Sequence, residues 1–102
     1  MQARLELHEL LCTALGSRHV YYQPPESVKM EYPAIVYSRN SIENTFAENS
    51  VYKQDRQYQI IVIDKDPDSE IVTAISKLPM CQFVRHYEAN NLNHDVFTIY
   101  CK

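Results

Sequence analysis

The apolar run Ile60-Ile61-Val62-Ile63 breaks off at Asp64-Lys65-Asp66-Pro67-Asp68-Ser69-Glu70, and this junction limits the fold more than any other stretch. Four consecutive β-branched residues offer no polar face, so a strand built from them has to be covered on both sides. From Val51 onward the preceding residues alternate instead, as a strand does when it starts at an exposed edge and ends in the interior. This segment is the expected central strand. Asp66 fits the N-cap of the next element, Pro67 its first helical position, and Asp68 and Glu70 the positive end of its dipole. Ile71, Val72, Ile75 and Leu78 follow at helical spacing as far as Pro79, which predicts a helix of about three turns.

The same reading extends to both ends. Leu7, Leu10, Leu11, Ala14 and Leu15 recur at helical spacing, with Gln2, Glu6, Glu9 and Thr13 on the other side, and Gly16 follows as the C-terminal stop. Val20-Tyr21-Tyr22-Gln23 predicts a short strand ended by Pro24-Pro25, and a loop follows over residues 26–31. Tyr32-Pro33 leads an extended segment running from Ala34 to Ile42. Glu43-Asn44-Thr45-Phe46-Ala47-Glu48-Asn49-Ser50 is polar except for Phe46 and Ala47 and contains no glycine, so it predicts the protruding tip of a long hairpin rather than a tight turn. Residues 82–88 and 94–101 alternate around Ala89-Asn90-Asn91-Leu92-Asn93 and predict a terminal hairpin. The element order is α-β-β-β-α-β-β. It implies an α+β fold: a mostly antiparallel sheet of four to five strands with two helices packed on one face.

A chain of 102 residues has material for one core, so residues 1–102 are expected to form a single α+β domain. Ten Lys and Arg against thirteen Asp and Glu leave a formal charge of −3, which gives binding to a phosphate backbone no global driving force. No apolar run approaches the length of a spanning helix, and the first residues lack the pattern of a signal peptide, so the expected setting is a cytoplasm. Cys12, Cys81 and Cys101 are far apart, have no CxxC spacing, and are expected to act as small hydrophobes.

The candidate chemistry is thin. His86, His94 and Asp95 form the best metal-ligand set, because hairpin partners can meet across strands, but His94 and Asp95 are neighbours that should face opposite ways. Cys81 near His86, and Cys12 four residues from His8, are nucleophile–base candidates with no third partner; both cysteines fit core packing better. The carboxylates at Asp64, Asp66, Asp68 and Glu70 are accounted for by helix capping and dipole interactions. A single glycine excludes a phosphate-cradling loop, and no cofactor is expected. Eight tyrosines, two of them adjacent at Tyr21-Tyr22, supply either cross-strand packing or contact surface for a partner.

With the opening helix, Val20-Tyr21-Tyr22-Gln23-Pro24-Pro25, Tyr32-Pro33-Ala34-Ile35-Val36-Tyr37, the strand of residues 58–63 running into Asp66-Pro67, and the closing hairpin, the chain resembles the tail-terminator and tail-completion (head–tail joining) proteins of long-tailed bacteriophages and prophages over nearly its whole length. The resemblance implies a non-enzymatic structural protein that forms a ring, commonly a hexamer, at the head-proximal end of the tail. Such a ring stops growth of the tube and docks it to the neck. The implied partners are further copies of itself, the tail tube protein and a head or neck connector, with no specific nucleic-acid binding and no membrane. The implied location is the virion, with assembly in the bacterial cytoplasm.

Ring closure needs two complementary patches on each subunit. One is expected on the hairpin tip (Glu43, Asn44, Thr45, Phe46, Ala47, Glu48, Asn49 and Ser50), with Phe46 as its apolar anchor, and Tyr21 and Tyr22 are further interface candidates. Glu43, Glu48 and Asp55 are candidates for an acidic channel wall that would repel DNA. The alternatives are a head-side connector or adaptor of the same particle, and a small metal-dependent hydrolase using His86, His94 and Asp95.

Overall fold

Leu7 and Leu11, one helical turn apart, are almost fully buried and hold the first helix, α1 (Gln2–Leu15), onto the sheet. Leu10, expected on the same stripe, sits at its margin and is 41% exposed. Gly16 ends α1 with φ +83° and donates its amide to the Cys12 carbonyl at 2.9 Å, the left-handed cap that the sequence predicts. The computed structural model describes residues 2–25, 29–48 and 50–101.

After α1 come β1 (Val20–Tyr22), β2 (Ala34–Ala47), β3 (Ser50–Asp64), α2 (Glu70–Ser76), β4 (Cys81–Ala89) and β5 (Leu92–Cys101). The strands form one sheet in the order β1-β2-β3-β5-β4, with β1 parallel to β2 and every other pair antiparallel. The fold is α+β with β3 at the centre, as the Ile60-Ile61-Val62-Ile63 run requires.

The register sorts the side chains into two faces. Ile35, Val62, Asp95 and His86 form one row across the sheet, and Tyr37, Ile60, Phe97 and Phe83 form the next. Both rows lie on the helix-covered face, where Leu7, Leu11, Ile75, Tyr37, Tyr58, Ile60 and Phe97 make the core. Ala34, Ile63, His94 and Tyr87 form a row on the other face.

Two expected boundaries are wrong. Asp66 and Pro67 do not begin α2. Instead the Asp64 carboxylate accepts the Asp66 amide at 3.1 Å and the Asp66 carboxylate accepts the Asp68 amide at 2.9 Å, two successive side-chain turns that carry the chain off the sheet. Ser69 is the N-cap: its hydroxyl accepts the Ile71 amide at 3.2 Å, and it is buried. The helix is also shorter than expected, seven residues and about two turns. Past Ser76 the bonds tighten, with the Leu78 amide reaching the Ile75 carbonyl, so Leu78 packs on the core from outside the helix.

The second correction concerns residues 43–50, expected as an open tip. Strand pairing continues to Ala47↔Ser50, so only Glu48 and Asn49 connect β2 to β3. Glu48 takes φ +52°, the left-handed conformation a tight turn needs and glycine usually supplies. Asn49 lies outside the described residues. The terminal hairpin turns as its sequence predicts, with Asn90 and Asn91 both at positive φ between Ala89↔Leu92.

Candidate functional site

β2 and β3 are the longest strands, and their neighbours cover only part of them. β1 pairs with Ile35–Tyr37 of β2, and β5 pairs with Arg56–Asp64 of β3. Among the described residues, 41–47 and 50–55 therefore have no third strand beside them and form a two-stranded arm, which extends ~20 Å at about 3.3 Å per residue. The molecule is correspondingly long, 51 × 26 × 23 Å.

The root of the arm is fastened by polar contacts. Asn40 is the extra residue of a bulge between Arg39 and Ser41, and its side-chain amide donates to the Gln57 side-chain oxygen. The Ser41 hydroxyl reaches that same oxygen at 3.5 Å, and the Arg39 backbone amide donates to the Gln23 side chain at 3.3 Å. Along the arm, Ile42, Asn44 and Phe46 alternate onto one face. Ile42 is 41% and Phe46 64% exposed, so this face carries bare apolar surface spaced about 13 Å apart.

The expected interface residues are thus divided. Asn44, Phe46, Glu48 and Ser50 are exposed on the arm; the side chains of Glu43, Thr45, Ala47 and Asn49 lie outside the described set. Tyr21 is half-buried in β1. Tyr22 is turned onto the core, its ring 4.8 Å from Tyr37 and 6.4 Å from Tyr58, with the Arg4 guanidinium 4.5 Å above it. Of the channel-wall candidates, Glu48 sits exposed at the tip of the arm and Asp55 is half-buried near its root.

The catalytic candidates are each engaged elsewhere. His8 hydrogen-bonds the Tyr37 hydroxyl through Nδ1 at 2.8 Å rather than activating Cys12. The Arg4 guanidinium donates to that hydroxyl at 3.4 Å, and burial pushes the Tyr37 phenol above its ordinary range. Cys12 lies beside a shallow hollow of about 440 Å³ that Glu9, Thr13, Gly16, Ser17 and Arg18 also line. Its thiol is pushed up by burial, and the Glu9–Arg18 ion pair that flanks it is exposed. Burial raises the Cys81 thiol to about 11.

His86 pairs across the strands with Asp95, but its Nε2 bonds the Asn93 side-chain oxygen at 3.2 Å. Asn93 in turn donates to the Asp64 and Lys65 carbonyls, tying the terminal hairpin to the loop before α2. His94 lies on the opposite face, stacked on Tyr87 with ring centroids 4.7 Å apart. His86 and Asp95 therefore face one way and His94 the other, and among the described residues no group of three His, Cys, Asp or Glu is placed to hold a metal ion. Burial raises the Asp95 carboxyl, against the pull of His86 and His94.

Sequence reasoning gave β4 no interface role, yet its residues 82–88 are all exposed. Phe83 is 50% and Val84 47% exposed, with Met80 and Tyr87 alongside. The adjacent apolar pair Phe83-Val84 was the available signal, since two neighbours on a regular strand cannot both face one core. A bulge between Phe83 and Arg85 accommodates it.

No family model and no curated protein matches the chain. No helix among the described residues is long and apolar enough to cross a membrane.

Proposed function

We propose that this chain is a non-enzymatic structural protein of a long-tailed bacteriophage or prophage, of the tail-terminator and head–tail joining kind. It closes into a ring, commonly of six copies, at the head-proximal end of the tail and docks the tube to the neck. The observation that carries the reading is the two-stranded arm. A two-stranded ribbon alone is marginally stable in water, so an arm that bares Ile42 and Phe46 gains from a partner surface.

Two further features support it. The net charge of −3 suits a ring that DNA traverses without being retained. His8 and His86 are engaged in internal hydrogen bonds and burial raises the Cys81 thiol, which is in keeping with a role carried by the surface. The partners are sister copies, the tail tube protein and the neck connector, and the location is the virion.

Electron microscopy of tail tubes grown with the purified full chain tests the proposal. Tubes should stop at uniform length with a ring on one end. Tubes that lengthen normally and carry no ring would contradict it, and binding to the portal-side connector alone would place the chain on the head side.

A further inference from the structure

We infer that the outer edge of β4 is the acceptor for the arm of a second copy of this chain, which adds to the sheet as a sixth strand. The inference rests on the ring reading above and names the second of the two patches that a ring requires.

β4 is paired with β5 on one side, and its other backbone edge has no strand beside it among the described residues. Native proteins shorten, charge or cover such an edge, because a row of free amides and carbonyls pairs with any extended segment. This edge is nine residues long and exposes Phe83, Val84 and Tyr87. Phe83 rests edge-on against Phe97, with ring centroids 5.5 Å apart, and its outer side stays bare.

The occupant is identified by the chain's own inventory of extended segments. β1, at the far edge of the sheet, has three residues and runs into Pro24-Pro25, too short and too proline-rich to pair with β4. The arm offers seven consecutive residues of β2, enough to span most of β4, and brings Ile42 and Phe46 to an edge that carries aromatic and aliphatic side chains. Charge does not oppose the match: residues 41–55 hold three acidic groups and one basic, while residues 80–88 hold Arg85 and Glu88 and are balanced.

The arm cannot reach β4 of its own molecule. β4 lies alongside β5, whose pairing with β3 begins at Arg56, where the arm leaves the sheet. The arm therefore projects beyond the end of β4, and the contact has to come from another copy. Donor and acceptor are different surfaces, so the contact is head-to-tail and closes by rotation.

Amide hydrogen exchange on the unmodified full chain, compared between dilute monomer and assembled ring, tests this. Residues 41–47 and 82–88 should both slow by roughly tenfold or more on assembly. A ring in which 82–88 exchange as fast as in the monomer overturns the β4 docking and leaves the ring reading standing. A chain that forms no assembly removes both.

A mixing experiment gives an independent readout. Phe46→Asp disables the arm and leaves β4 intact; Val84→Lys sets a charge on the exposed apolar surface of β4 and leaves the arm intact. Each folded variant alone should stay monomeric, and the two together should form a one-to-one dimer. Assembly of Val84→Lys alone, or no dimer from the mixture of two folded variants, overturns the inference.

Discussion

At the scale of single residues, environment rather than residue type decides what the candidate groups do. The Cys81 thiol, raised by burial to about 11 from an ordinary 9.0, carries ~100-fold less thiolate at neutral pH than an unperturbed cysteine. Alkylation of Cys81 near pH 7.5 should be slower than that of a free thiol by a similar factor, read by mass spectrometry; labelling at the free-thiol rate would show a thiol that burial does not raise. Asp95 carries a stability consequence of definite sign. Its carboxyl binds a proton more tightly folded than unfolded, so its contribution is most favourable below the ordinary value of 3.8 and declines as pH rises through the raised one. Asp95→Asn should raise the melting temperature more at pH 7 than at pH 3, and an equal change at both would refute that balance. The Gly16 cap was legible because one glycine after a periodic leucine run has few other uses. The engagement of His8 by Tyr37 was not, since the two residues are 29 positions apart.

Among the elements, the misplaced start of α2 has a definite cause: several residues competed for one local role. Asp64, Asp66, Asp68 and Ser69 can each accept a backbone amide, and the exit from β3 decides that the two aspartates make turns while Ser69 caps α2. Ser69→Ala should cost ~1 kcal/mol and Asp66→Ala clearly less, measured by denaturant unfolding; the reverse order would restore Asp66 as the cap. The β2–β3 hairpin was legible as a protrusion but not as a paired arm, because Glu48 adopts a turn conformation its side chain does not advertise. Replacing residues 43–50 by a short turn should leave the melting temperature almost unchanged, since the arm contributes nothing to the core described above, while abolishing assembly. A collapse in stability would instead make the arm part of the fold.

For the molecule as a whole, strand order is what sequence could not supply. Periodicity identified every strand and the central position of β3, but whether β4 is covered or bare depends on which strands neighbour it, a non-local fact. Once that order is known, the chain has an arm at one end of its long axis and, along one edge of its sheet, a nine-residue strand exposed over residues 82–88. Two unlike extended surfaces on one subunit are what a closed head-to-tail ring uses. Native mass spectrometry of the full chain over a concentration series tests this most directly. The account predicts a monomer giving way to one closed stoichiometry, commonly six, with no larger species; a chain that stays monomeric throughout, or an open-ended ladder of oligomers, would contradict it.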